Sequence, residues 1–184
     1  MTMQTTKKLN TADIARVGLF TAVLAVCAWI SIPTAVPVTL QTFGVFLTVG
    51  ILGGRLGTLT VLVYMLLGAV GVPVFAGFAG GIGAMLGSTG GYIVGFLLSA
   101  LVMWGMEALL GKKNWVFLLS MAAGLLVCYA FGTAWFMGVY ARNTGSIGLW
   151  TALSWCVIPY FLPDLGKIAL AFFVTKRLKR ISFR

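Results

Sequence analysis

The sequence predicts an all-α membrane protein, a bundle of six transmembrane helices with both termini cytoplasmic. Three observations predict it. Of 184 residues, 60% are hydrophobic and 9% charged, against roughly 25% charge in soluble domains. The apolar residues fall in runs that approach the ~20 residues needed to cross a bilayer. The 13 Lys and Arg outnumber the three acids, Asp13, Glu107 and Asp164, and cluster between those runs, which marks cytoplasmic flanks and not nucleic-acid binding. At this length one integral membrane domain, residues 1–184, is expected.

The polar opening, residues 1–16 with Lys7 and Lys8, leads into a long apolar run without a small-residue cleavage site. It reads as the flank of a retained first span, 11–32, and not as a signal peptide. That span stops before Pro33, and a charge-free connector runs from Pro33 to Thr42. The second span, 43–54, is short, and Arg55 marks a tight turn into the third, 56–72. Residues 73–90 are too rich in glycine for a helix. The fourth span, 91–110, ends at Gly111, Lys112 and Lys113; the fifth is 115–140. The sixth, 149–175, contains Pro159 and Pro163 and precedes a basic tail of Lys176, Arg177, Lys179, Arg180 and Arg184.

Six spans bring both ends to one side. Lys7, Lys8, Arg16, Arg55, Lys112, Lys113 and the tail all fall there, and only Arg142 falls opposite. Because Lys and Arg mark cytoplasmic loops, the connectors 33–42, 73–90 and 141–148 should face outward. A binding chamber opening outward would be built from them.

Several chemistries are excluded. Without histidine there is no Ser-His-Asp triad, His-ligated haem or His-containing zinc site, and no metal or cofactor is expected. Cys27, Cys128 and Cys156 are far apart in apolar stretches and read as buried structural thiols. The string GGIGAMLG is out of register for a dinucleotide loop, and no phosphate-loop motif is present. Any energy for transport would come from elsewhere. In the tail, Arg180 and Phe183 suit an anionic-lipid anchor.

Small residues four apart let helices approach closely in lipid. Gly83, Gly87, Gly91 and Gly95 make one ladder; Gly50 with Gly54, Gly53 with Gly57, and Gly124, Cys128 and Gly132 make others. The first span carries its own stripe, Ala15, Gly18, Ala22 and Ala25. Each suits packing within the bundle or a seat for a partner helix.

Asp164 and Lys167 stand apart, because ionisable groups inside a span are costly and mark functional sites. Their spacing of three puts them on one helical face, able to pair. Asp164 lies roughly 15–20 Å from the basic tail, near the bilayer midplane. Pro163 is expected to break the helix and free carbonyls that need a polar cavity; a structural ion pair is the competing reading. Thr39, Gln41 and Thr42 bring uncharged polarity to the first outward connector, while Thr89, Gly90 and Gly91 open the fourth span, where free amides favour a carboxylate. The residues alone thus point to a small, partly apolar, carboxylate-bearing solute bound from outside.

At these same residues the chain resembles the biotin-specific substrate-binding subunits (S components, the BioY family) of the energy-coupling factor (ECF) vitamin transporters. The resemblance rests on VPVTLQTF (36–43), GVPVFAGFAGG (71–81), GSTGGYIVGF (87–96) and PDLGK (163–167), in order along nearly the whole chain. Relatives commonly have proline where Ser88 stands, and many have glycine where Pro163 stands.

The resemblance implies a six-helix S component that captures biotin at its outward face. Import would be shared with a transmembrane coupling subunit (T component) and two cytoplasmic ATPases in the cell membrane. Asp164, Lys167, Thr39, Gln41, Thr89, Gly90, Gly91 and Tyr92 become the candidate substrate-binding residues. Ala15, Gly18 and Ala22 become the candidate face for the coupling subunit. A self-sufficient proton-coupled carrier of a vitamin-like carboxylate, with Asp164 as its protonation site, is the alternative; a membrane enzyme, with one deep carboxylate for acid-base work, is the poorest fit.

Overall fold

The computed structural model describes residues 9–33 and 36–182. Lys7, Lys8, Phe183 and Arg184 lie outside the described residues, as do Thr34 and Ala35 of the first connector.

Helix α1 (Thr11–Trp29) starts at a reciprocal cap. The Asn10 side chain accepts from the Asp13 amide at 2.7 Å, and the Asp13 carboxylate accepts from the Asn10 amide at 3.3 Å, which satisfies amides that the first turn leaves orphaned. The helix ends three residues before the expected end of its span at residue 32. Instead, Ser31–Ile32 (β1) pairs antiparallel with Val38–Thr39 (β2), so the expected plain connector is a small hairpin. The Leu40 amide closes it, donating to the Cys27 carbonyl at 3.1 Å and the Ile30 carbonyl at 3.2 Å.

The expected spans 43–54 and 56–72 are α2 (Gln41–Leu52) and α3 (Gly54–Ala69). The turn between them is at Gly53, with φ +81°, and not at Arg55, which sits in the first turn of α3. A left-handed residue suits glycine, which has no Cβ to clash. At 1.5 Å per residue, α2 and α3 reach only about 18 and 24 Å, less than the ~30 Å hydrocarbon core.

Residues 70–89 hold one 3-10 turn, Ala76–Phe78, and a short helix α4 (Ile82–Leu86). Then α5 (Gly90–Leu110) and α6 (Asn114–Asn143) follow the expected fourth and fifth spans, α6 running longer at both ends. The expected sixth span divides into α7 (Leu149–Cys156) and α8 (Ile158–Ser182). The break is at Val157, and α8 runs on through Pro163, contrary to the expected break there. Pro159 accounts for this: its ring would strike the carbonyl four residues back in a continuous helix, yet near the start of α8 its missing N–H costs nothing.

Among the described residues, α1, α5, α6 and α8 are long and apolar enough to cross a membrane, and α2 and α3 are shorter apolar helices. The protein is a multi-pass membrane protein. Its outer surface carries Leu19, Leu66, Leu101, Leu126, Leu170 and Phe173, each at least 43% exposed, as lipid contact requires. Uncharged α2 is buried along most of its length against α1, α3, α5 and α8, which fits a helix apolar on all sides.

The glycine ladders divide by place. On α5, a Cβ at Gly91 would lie 2.2 Å from Trp135, and one at Gly95 would lie 2.9 Å from Cys128. On α6, a Cβ at Gly124 would meet Ser99 and one at Gly132 would meet Tyr92, both at 2.4 Å. These glycines pack α5 on α6 inside the bundle. Gly83 has nothing within 4 Å and Gly87 lies between helices, so the expected four-rung ladder is no single face.

Candidate functional site

Among the described residues, the longer irregular stretches lie at one end of the bundle: the hairpin, residues 70–89, and the α6–α7–α8 connection. A cavity of about 300 Å³ lies among them, at the lower bound of small-molecule pockets, roughly 300–1,000 Å³. Lys112, Lys113 and the charges of α8 beyond Lys176 lie at the other end.

Asp164 and Lys167 project from the first turns of α8 into this cavity and are 3% and 8% exposed. The Lys167 ammonium donates to Asp164 Oδ1 at 2.6 Å, and the Thr42 hydroxyl donates to the same oxygen at 2.9 Å. The Tyr129 hydroxyl donates to Oδ2. One carboxylate thus ties α2, α6 and α8 together. An ionised carboxylate accepts about four hydrogen bonds and an ammonium donates three. Here Asp164 holds three and Lys167 gives one, so both keep capacity toward the cavity.

Thr39 and Gln41 line the same cavity and are locked by a relay. The Thr39 hydroxyl donates to Gln41 Oε1 at 2.9 Å, Gln41 Nε2 donates to the Tyr64 hydroxyl at 2.7 Å, and that hydroxyl donates to the Val74 carbonyl at 2.9 Å. The relay joins hairpin, α2, α3 and the 70–89 loop. Tyr160 adds a clasp, donating to the Val36 carbonyl. The loop is pinned again by the Trp29 indole on the Pro73 carbonyl at 2.9 Å and the Trp135 indole on the Gly87 carbonyl at 3.0 Å.

Thr89 and Tyr92 also line the cavity, the Tyr92 hydroxyl lying 3.0 Å from Thr133 Oγ1. Gly90 and Gly91 are not in its wall. A Cβ at Gly90 would lie 1.7 Å from the Met85 carbonyl oxygen, so these glycines allow α4 and α6 to close on the start of α5. The Gly90 and Tyr92 amides donate to the Gly87 and Thr89 carbonyls. Ala15, Gly18 and Ala22 are exposed on the outer face of α1, with nothing within 4 Å of a Cβ at Gly18, whereas Ala25 is buried.

Tyr129, Tyr160, Phe75 and Phe96, which no sequence motif singles out, give the cavity its aromatic wall. Tyr129 had a signal: tyrosines in membrane helices gather at the interfaces, and this one is central in a 30-residue helix. Cys128 and Cys156 are buried free thiols, as expected, and both face the cavity.

A family model described as the BioY family matches residues 3–184. The biotin transporter BioY of Thermotoga maritima is 42% identical over 174 residues, covering 92% of this chain and 97% of the relative. A probable biotin transporter BioY of Pyrococcus horikoshii is 40% identical over 172 residues, covering 93% and 98%. The crystal structure of the S-component for biotin from an ECF-type ABC transporter superposes with a TM-score of 0.82 over 94% of this chain and 95% of that one, at 22% identity; the likeness is one of fold.

Proposed function

This chain belongs to the BioY family, and we propose that it is the biotin-binding S component of an ECF-type importer, capturing biotin at the extracellular face. The observation that carries this reading is the buried Asp164–Lys167 pair in the wall of a cavity sized for a small molecule. Biotin offers a cyclic urea whose two N–H groups flank a carbonyl. Asp164 accepts from the N–H edge and Lys167 donates to the carbonyl oxygen, using the capacity each has left. Tyr129 holds the carboxylate in place, and the aromatic wall receives the apolar ring. Among the described residues, Lys167 is the one cation in the wall, so the valerate carboxylate is directed to the hydroxyls of Ser88 and Thr89, the Thr39 hydroxyl already donating to Gln41.

Orientation follows from charge. The end opposite the cavity carries Arg16, Arg55, Lys112, Lys113 and the α8 basic run, which favours the cytoplasm for that end and both termini and the outside for the cavity. Six helices then cross, with α2 and α3 shielded by their neighbours. Transport is powered by a T component and two cytoplasmic ATPases. The exposed small face Ala15, Gly18 and Ala22 is where a partner helix approaches, since small side chains admit a close backbone.

Calorimetric titration of the purified chain with biotin tests capture, with tight one-to-one binding expected and no heat of binding against it. Gly18→Trp tests the division of labour: biotin affinity should be kept, while uptake and co-purification of the T component fall in cells holding the whole complex. Uptake by vesicles containing this chain alone under a pH gradient would favour the self-sufficient carrier instead.

A further inference from the structure

The wall of the cavity divides by burial. Asp164, Lys167, Tyr129 and Phe96 are buried, whereas Ala76, Ala84, Gly87, Ser88 and Thr89 are half-buried and Ala79 is exposed. Among the described residues, the other half-buried parts of the wall are Pro37 and Thr42. The 76–89 stretch is therefore the rim at which the cavity meets water.

Two properties of this rim bear on what can pass it. Its side chains are no larger than that of threonine, which leaves room for a chain to leave the cavity. It is also neutral, since residues 56–106 contain no Lys, Arg, Asp or Glu. A hydroxyl both donates and accepts, so Ser88 and Thr89 can bond a carboxamide as readily as a carboxylate, donating to its carbonyl oxygen and accepting from its N–H.

The nearby positive groups are committed elsewhere. Lys167 donates to Asp164 at 2.6 Å and, in the binding mode proposed above, to the urea oxygen. At the start of α5 the Gly90 and Tyr92 amides donate to the Gly87 and Thr89 carbonyls, and Gly90 and Gly91 are outside the wall. Arg142, in the last turn of α6, is exposed and also outside the wall.

We propose that the cavity also binds carboxamides of biotin, including amides whose nitrogen carries an alkyl chain that leaves through the rim, such as biotin joined to the side-chain amine of lysine. This rests on the biotin-binding role proposed above and widens its ligand class from the free acid to biotinyl amides. The buried pair recognises the urea, which acid and amides share. At a half-buried rim water stays available to the tail, so the charge there contributes little to affinity.

Competition calorimetry on the purified full chain, with biotin, its carboxamide and its lysine side-chain amide, tests this. Both amides should bind one-to-one, be displaced by biotin, and show Kd values within about tenfold of that of biotin. A larger loss for either amide, or binding that biotin does not displace, would overturn the proposal. Ala79→Phe narrows the rim and should weaken the lysine amide at least about fivefold more than the carboxamide; equal losses would overturn the exit through the rim. Arg142→Gln should leave the ratio of biotin to carboxamide affinity unchanged, and a fall in biotin affinity alone would give the carboxylate a cation and overturn the neutral tail site. If biotin itself did not bind, the proposed function would fall and this inference with it, whereas biotin bound with both amides excluded would overturn this inference alone.

Discussion

The two ends of this molecule solve different problems with the same chemistry. Each holds a carboxylate paired with a lysine. At the cavity end, Asp164 and Lys167 meet at 2.6 Å with side chains 4% and 10% exposed. At the basic end, Glu107 and Lys112 meet at 3.2 Å with side chains 23% and 77% exposed. The backbone differs in parallel. The basic end connects its helices by Gly53 alone and by the short Gly111–Lys113 turn, whereas the cavity end uses a hairpin, a 20-residue loop and a broken helix. Irregular backbone at membrane depth needs polar partners, and the Gln41 relay and the Trp29, Trp135 and Tyr160 bonds supply them. The lesson is that chain irregularity and buried charge concentrate where a ligand is to be held.

The contrast between the pairs can be broken most directly by removing one partner. Lys167→Met leaves a buried carboxylate without its cation and should cost about 3–5 kcal/mol of stability, read as a lowered Tm in detergent. Asp164→Asn keeps the shape but loses the charged acceptor. Charged hydrogen bonds contribute about 1.5–3 kcal/mol each, so biotin binding measured by calorimetry should weaken roughly tenfold to a hundredfold. If both variants folded normally and bound biotin with full affinity, the pair would be structural only.

Packing offers the next test. Gly91→Val drives a side chain into Trp135 and should destabilise by about 1–3 kcal/mol, while Gly18→Val, which meets nothing, should leave Tm unchanged. Comparable losses at both positions would refute the division between an internal and an outward glycine face. A gentler probe is Pro37→Cys in the hairpin over the cavity: biotin should protect it from thiol reagents, and unchanged labelling in saturated protein would count against a ligand-covering hairpin. The smallest effect is expected at the basic end. Lys112→Met breaks an exposed pair worth about 0–1 kcal/mol, so Tm should barely move and biotin affinity should stay the same; a loss matching that of Lys167→Met would erase the contrast.

Much of this was legible beforehand because the bilayer imposes strong rules on a sequence. Apolar runs located α1, α5 and α6 to within three residues at each end but merged α7 and α8 into one span, and the charge asymmetry separated the two ends. Asp164 and Lys167 stood out because ionisable residues are rare in spans. Thr39, Gln41, Thr89 and Tyr92 do reach the cavity, but Gly90 and Gly91 sit at close helix approaches behind it. Glycine signals that backbones come near something, and sequence spacing does not say whether that something is ligand or another helix. The break near the start of α8 is illegible in the sequence for a related reason: Pro159 and Pro163 are both helix breakers in isolation, and the chain breaks at Val157 beside the first while α8 runs on through the second.

The sequence by itself determined the class of molecule, its long helices, its charged end and the residue pair at its centre, because hydropathy, charge and i,i+3 spacing are local properties of the chain. Tertiary structure alone decided that Thr42, Tyr129 and Lys167 converge on one carboxylate from three helices, and that a relay from Thr39 through Gln41 and Tyr64 to Val74 spans 35 residues. It also decided that Gly91 faces α6 while Gly18 faces outward. These depend on which helix faces meet, and a helix with apolar residues all round gives no indication of which side its neighbours will occupy.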